Sequence, residues 1–598
     1  MSAQTKKIPL SRARLLGALA VGLAAFVAYV LAATPAAYPL DSAELAAASF
    51  GLGVAHPPGE ETTLLFAKLF TLLPLGGVAF KVALSQAVAG ALAVTLVYLL
   101  VLDAACRLTV VEEGSNQATH TVIAAAAALA FAFAPGVVIV ANRAEVYATQ
   151  TALSLAALWA ALRAHDESDR RWALLAAMLI GLGVGNHSLV AGLTGLGAVV
   201  AALPLLLRTS RRSRFVAWSL VAFAAGMLVH AYLPLRTAAL RDPQAGIDNV
   251  LWGDARTLPG LWWVVSAKTF AEKTGIVHRN ASPADLPFMI MEELGAVFTL
   301  VAPAGAYFLL RGRNSRRHGL AVLLAMAGSV LAALIGGLDP SNPDIRGYLG
   351  PAIACIAVLS GVAIMVGLAV FRLRRARALL AAILLFTAVT RFPSPSKYPG
   401  LADARAAESE VRDLLDGLPP RGALFTNHFE TGFLVGYLRF VEGVRPDVDW
   451  AHLAFAKGDA YADRTRATES ELVPVIDAYR GHGDLLAALA DLDQGRPTRI
   501  EPDAVLGPAI RRGLGPAGDL WSIAKNTSPE AAQPLPTWVV GEASRDRQVR
   551  AFLAWHSYTD ARWSCEFGFD ERARARFAEL EKLVPDDERF RELRKNCQ

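Results

Sequence analysis

Cysteine is nearly missing from this chain: 598 residues hold four. No CxxC and no Cys/His pair at ligand spacing occurs, which excludes a zinc-finger or zinc-ribbon scaffold. Charged residues are sparse too, at 19%, while hydrophobic residues reach 54%. That balance is too apolar for a soluble protein. The net charge of +5 is spread over short segments between apolar runs and forms no recognition stripe, so nucleic acid is excluded as a partner. Internal repeats are not evident, and no run after Pro393 is long enough to cross a bilayer.

What is present is a series of basic clusters separated by long apolar runs. Lys6, Lys7, Arg12 and Arg14 open it, followed by Arg107, by Arg163, Arg170 and Arg171, and by Arg208, Arg211, Arg212 and Arg214. Arg311, Arg313, Arg316 and Arg317 come next, and Arg372, Arg374, Arg375 and Arg377 close it. Short loops rich in Lys and Arg stay cytoplasmic, so the clusters fix the orientation. Runs of spanning length predict eleven helices near 13–34, 79–102, 120–141, 146–163, 172–188, 189–207, 215–235, 289–310, 319–338, 349–371 and 377–392. The stretch 172–207 is too long for one span and is broken at Gly185-Asn186-His187-Ser188, a turn signal. The first span exceeds the apolar core of a signal peptide and is read as a retained helix. An odd count puts the N-terminus in the cytoplasm and the C-terminus outside, as for a bacterial inner-membrane protein with a periplasmic tail.

This predicts an α-helical polytopic membrane domain over 1–392, with long outer loops at 35–78 and 236–288. The first loop suits short helices on the membrane surface. A Pro- and Ser-rich linker at 393–400 leads to an outer α/β domain over 401–598. There GALFTN and VDWAHLAF read as buried strands around a helix at 430–442, and 571–597 as a helical hairpin. Cys565 and Cys597 are the two cysteines of that domain, so a disulfide there can join only them.

The polar residues of the outer loops carry the chemistry. Asp41 and Glu44 lie three residues apart at the start of a helix, where they read either as an acidic capping pair or as a base for an acceptor hydroxyl. His56 stands in a stiff His-Pro-Pro-Gly turn, open to a phosphate contact or to packing. Arg143 and Glu145 emerge together from the third span. Asn186 and His187 interrupt an apolar stretch, where polar groups face a bundle interior or a site. Arg236 and Arg346 are cations on a face that has few, with lipid headgroups or Asp339 and Asp344 as the alternative partners. Together these residues suit a lipid-linked phosphate donor: cations hold the leaving phosphate and a carboxylate activates the acceptor.

DSAELAAASFGLGVAHPPG and LFAKLFTLLPLGGVAFKVALSQAVAGALAV, then NRAEVYATQTALSLAALWAALR, GLGVGNHS, YLPLR with NVLWGD, and DPSNPDIRGYLGPA, stand in one order. The series resembles a family of polytopic proteins of GT-C type that includes the animal O-mannosyltransferase of plexin-type receptors and bacterial relatives. The segment LFTNHFETGFLVGYLRFVEGVRPDV is similar to the outer domain of the bacterial members. The resemblance implies a membrane glycosyltransferase moving mannose or another hexose, with inversion, from a polyprenyl-phosphate donor to a protein or glycan acceptor. It implies Asp41 as the essential acid of the first outer loop with Glu44 beside it. Arg143, His187, Arg346 and Arg236 fit the donor phosphate, with His56, Glu145, Asn186 and Tyr348 in support. A divalent metal at Asp41, Glu44 and His56 is compatible with the residues and is not compelled by their spacing. Glu60-Glu61-Thr62 depart from the aromatic and Pro that often follow HPPG in the family, which points to a different acceptor. The alternative is a transporter or flippase of a lipid-linked saccharide, for which matched repeats and interrupted helices are the expected signs.

Overall fold

A computed structural model describes residues 11–108, 117–242, 248–270, 282–340, 342–370, 374–390, 401–503, 506–523 and 533–597. Lys6, Lys7, Arg372, the linker expected at 393–400 and two parts of the second long outer loop (243–247 and 271–281) lie outside the described residues.

The protein is an integral membrane protein built mainly of helices. Among the described residues, seven helices are long and apolar enough to cross a membrane, or up to eight if one bent pair is a single span. That pair is Gln117–Ala132 and Pro135–Ala141, bent by 67°. Pro135 opens the second helix, a position where its missing N–H costs nothing, and it cannot continue the first. Three differences separate this set from the eleven expected spans. Tyr147–Glu167 carries Thr149, Gln150, Thr151 and Ser154 on its length, so it is too polar. Arg374–Val389 has 16 residues, fewer than the roughly 20 that a bilayer core needs. Arg170–Arg208 is two helices that abut at His187, whose backbone is not helical (φ −151°, ψ 91°), and its two arms count as one span in this set.

That break is a reversal. A Cβ placed on Gly195 would lie 3.3 Å from Ile180 Cγ2, and one on Gly183 would lie 3.1 Å from Ala191 Cβ. Along a straight helix the first pair would stand about 22 Å apart at 1.5 Å per residue. The two arms therefore fold against each other at the Gly185–Ser188 turn, with glycines letting them approach.

The first outer loop holds two helices, Ser42–Gly51 and Glu61–Thr71. Ser42–Gly51 does not lie free on a membrane surface: Ser42 through Ser49 are all buried. The cover comes from the far end of the chain. Helix Phe429–Glu442 packs across it so closely that a Cβ on Gly51 would fall 2.4 Å from the Phe440 ring. Ala43, Leu45 and Ala47 share one core with Leu434, Val435 and Leu438. Val54 also forms a parallel bridge to Leu251, tying the first long loop to the second.

The C-terminal part contains a five-stranded sheet ordered β2-β1-β3-β5-β4. The strands are β1 Ala423–Thr426, β2 Asp449–His452, β3 Thr498–Ile500, β4 Leu514–Ala517 and β5 Leu520–Ile523. β1 is parallel to both β2 and β3, whereas β5 pairs antiparallel with β3 and β4. β2 is shorter than the sequence run, because Leu453–Ala456 turns into a helix. The expected hairpin appears as Asp570–Leu583 and Glu588–Asn596.

Cys565 and Cys597 are joined by a disulfide with Cα atoms 5.6 Å apart and 32 residues between them. In the chain-entropy picture a loop of this length stabilises the fold by about 3–4 kcal/mol. Cys597→Ser is expected to lower the stability of the C-terminal part by about that amount. Thermal unfolding with and without reductant checks it: an unchanged midpoint in both comparisons would show that the bond contributes nothing.

Candidate active site

Helix Ser42–Gly51 places Asp41 and Glu44 one turn apart, and their roles differ. Asp41 occupies the N-cap position, but its carboxylate makes no capping hydrogen bond. Its side chain keeps 36% exposure, and Oδ2 lies 3.8 Å from His56 Nε2. Burial pushes its pKa up to about 6, with Asp344 and Glu44 adding to the rise and His56 and Arg143 opposing it. Glu44 is sealed and bound to the His-Pro-Pro-Gly turn: its carboxylate accepts the His56 backbone N–H at 2.8 Å and meets Nδ1 at 2.7 Å. Glu44 is therefore neither a cap nor a free base; it positions the imidazole.

A fourth member was not anticipated. Glu60 Oε1 stands 3.5 Å from His56 Nε2, and Oε2 is buried without a hydrogen bond among the described residues. Glu60 adopts a left-handed backbone (φ 58°) directly after Gly59 (φ 100°), which turns its side chain back under the histidine. Three carboxylates thus surround one imidazole. Burial is the largest single effect on His56 and lowers its pKa, but Glu60, Glu44 and Asp41 together outweigh it and raise the pKa well above its ordinary value. Glu61, by contrast, faces away to His230 Nδ1 at 2.9 Å.

The ligand-capable atoms of Asp41, Glu44 and His56 lie within 4.8 Å of one another. Of the three, Asp41 is the least committed within the fold and so the best placed to meet a cation. Glu44 is less suited, because it already binds both His56 Nδ1 and the His56 N–H.

Arg143 is fully buried behind Asp41. It donates to Asp344 Oδ1 at 2.7 Å and to Ser42 Oγ at 3.1 Å, and pairs with Glu145 Oε2 at 2.8 Å. Burial pushes Glu145 up to about 8, with Asp344 and Asp41 adding to it and Arg143 opposing it. Asp344 is thus taken by Arg143, and Arg346 pairs elsewhere. It bonds Glu292 at 3.0 Å and Glu293, which also accepts the Gly136 N–H at 2.7 Å. Arg236 donates to the carbonyls of Leu52 at 2.6 Å and Gly51 at 3.1 Å, closing the C-terminal end of the Asp41 helix.

Asn186 binds Val146 O at 3.1 Å and Gln150 Oε1 at 3.2 Å, so it fastens the reversal to the neighbouring helix. His187 is packed between rings, 5.6 Å from Tyr147 and 4.7 Å from Tyr348, and its Nδ1 has no hydrogen-bond partner among the described residues.

The segment leading to Asp41 is gripped from the C-terminal part. Glu408 accepts the Ala37 N–H at 2.6 Å, Asp546 accepts the Tyr38 hydroxyl at 3.0 Å, and Glu430 accepts the Leu40 N–H at 2.8 Å. These acids lie 371 to 508 residues away in sequence, so no local signal could have found them.

Comparison with known proteins agrees with this architecture. Residues 41–213 match the family model described as the protein O-mannosyl-transferase TMEM260 N-terminal domain. Protein O-mannosyl-transferase TMEM260 of Mus musculus is 28% identical over 444 residues, which is 68% of this chain and 58% of the relative. Thus the chain spans somewhat over half the length of the curated relative it matches. ArnT from Cupriavidus metallidurans in the apo state superposes with a TM-score of 0.53 at 14% identity, covering 86% of this chain and 100% of ArnT. The same protein bound to undecaprenyl phosphate gives 0.53 at 15% identity, covering 86% and 99%. Residues 41–213 are thus similar to the TMEM260 N-terminal domain, and 86% of the chain shares the fold of ArnT, a fold consistent with the GT-C type that the sequence resemblance implies.

Proposed function

We propose that the chain is a membrane glycosyltransferase that moves mannose or another hexose from a polyprenyl-phosphate donor to an acceptor hydroxyl, with inversion, on the face where Asp41 lies. The mouse relative is named for protein O-mannosyl transfer, and ArnT has been solved with undecaprenyl phosphate. The observation that carries the reading is Asp41: a partly exposed carboxylate, free of its capping role, set against the edge of a buried charge cluster. In the reaction the acceptor oxygen attacks the anomeric carbon and the bond from that carbon to the phosphate oxygen breaks. The acceptor proton passes to Asp41, and the polyprenyl phosphate leaves with the bonding pair. His56, held by Glu44, keeps positive charge beside the Asp41 carboxylate and so favours its ionised form below neutrality.

For the donor phosphate we assign His187, whose Nδ1 bonds no described residue, and Arg143, which keeps its charge beside Asp41 even though it pairs with Asp344, Glu145 and Ser42. Arg236 and Arg346 are committed within the fold. Arg346→Lys is accordingly expected to lower thermal stability, because Lys cannot fork between Glu292 and Glu293. Donor KM should stay unchanged in that variant. A raised KM at unchanged stability would return Arg346 to the phosphate.

The eleven-span topology belongs to the same proposal, with the broken helix counted as two spans and the disulfide-bonded C-terminal part in an oxidising compartment. The acceptor is a protein or a glycan hydroxyl, and Glu60 gives its side of the site an acidic wall. Membranes holding the protein, supplied with radiolabelled polyprenyl-phosphate hexose, should yield label covalently bound to acceptor. Movement of intact labelled lipid across the bilayer without covalent transfer would favour a flippase instead.

A further inference from the structure

A second cluster of ligand-type side chains lies in the C-terminal part, distinct in its residues from the Asp41 cluster but joined to it by Glu430, which is 3.9 Å from His428 and accepts the Leu40 N–H. His428 follows β1 by two residues, and Glu501 follows β3 directly. β1 and β3 are adjacent and parallel, with Phe425 opposite Ile500 and the Glu501 N–H donating to Phe425 O at 2.8 Å. Both residues therefore stand at the carboxyl ends of neighbouring parallel strands, where open α/β sheets place their ligands. The third member, His556, comes from helix Arg547–Glu566, which packs over that end.

Their ligand-capable atoms lie within 4.8 Å of one another. His556 Nε2 is 3.7 Å from Glu501 Oε1. The Thr431 hydroxyl lies between the rings, 2.9 Å from His556 Nε2 and 3.4 Å from His428 Nδ1. Glu501 is held rigidly: Oε2 accepts the N–H groups of Asn427 at 2.7 Å and His428 at 3.0 Å. Its Oε1, buried in a residue 1% exposed, has no hydrogen bond among the described residues and is aimed at the histidines. Trp555 stacks on His428 at 3.8 Å and fixes the ring plane.

We propose that His428, Glu501 and His556 bind one divalent transition-metal ion of the zinc class, which clasps the sheet to the Arg547–Glu566 helix. Two imidazoles and one carboxylate suit zinc, leaving a fourth position for water or the Thr431 hydroxyl. A group of oxygens alone would have favoured calcium or magnesium. The proposal does not depend on sugar transfer.

The test uses the full chain without a histidine tag, purified in detergent, stripped with chelator, loaded with zinc chloride and desalted. Bound zinc is then measured by atomic emission. One equivalent should remain in wild type and in His56→Ala, which removes the histidine of the Asp41 cluster. In His556→Ala and Glu501→Gln zinc affinity should fall on the order of 100-fold. The Cys565–Cys597 bond in unreduced peptides reports that each variant has folded. X-ray absorption on zinc-loaded wild type, which needs no variant, should show two imidazoles and one carboxylate. No zinc above a protein-free control overturns the site, as does undiminished binding in His556→Ala or a shell without two imidazoles.

Discussion

Asp41→Asn is expected to lower turnover by about 10²-fold or more while donor binding and folding stay near wild type. The amide keeps the size and the neighbours of the carboxylate but cannot take the acceptor proton. Because the Asp41 side chain makes no capping bond, little helix stability is lost with its charge. Glu44→Gln should cost less, acting through the orientation of His56. The pH profile should agree. With Asp41 raised to about 6, wild-type kcat should rise as pH increases through that region and level off above it. The carboxylates and His56 are close enough to titrate together, so the apparent value belongs to the cluster. Wild-type turnover in Asp41→Asn would remove Asp41 from the chemistry.

Arg143→Met is expected to destabilise the protein by about 3–5 kcal/mol, because it strands carboxylates around a buried position. Asp344 and Glu145 both lean on this guanidinium, and Ser42 ties it to the Asp41 helix. Removing one partner of a buried ionic group costs far more than the pair contributes, since the remaining charge is left without water or counter-ion. Adding Asp344→Asn should recover part of the loss, a coupling that a merely bulky role for Arg143 would not produce. Thermal unfolding of the two single variants and the double variant in one detergent measures it. Additive losses would show that the pair is not a unit.

The sequence disclosed most of what is local. Apolar runs located the long helices, and Gly185-Asn186-His187-Ser188 marked the reversal at the non-helical His187. Asp41, Glu44 and His56 were recognisable because fifteen residues of chain bring them together. What stayed hidden depends on partners distant in sequence. Arg143 and Asp344 are separated by 201 residues, and Arg346 and Glu293 by 53, so their charges looked available when they are paired. Glu60 was hidden for another reason: its place in the cluster depends on a left-handed backbone that local composition does not announce. The third to fifth strands are three or four residues long, like the first two, but lack the continuous apolar run that marked GALFTN and VDWAHLAF. The grip of Glu408, Glu430 and Asp546 on residues 37–40 gives the C-terminal part a task, positioning the approach to Asp41, that the sequence left open.

The most direct measurement is the anomeric configuration of the product, read by NMR after transfer from a polyprenyl-phosphate hexose of known configuration. A single displacement with Asp41 as base predicts a product of the opposite configuration, formed by wild type and lost in Asp41→Asn. Retention of configuration would contradict that account, because it requires a second displacement and a nucleophile that the proposed mechanism does not contain.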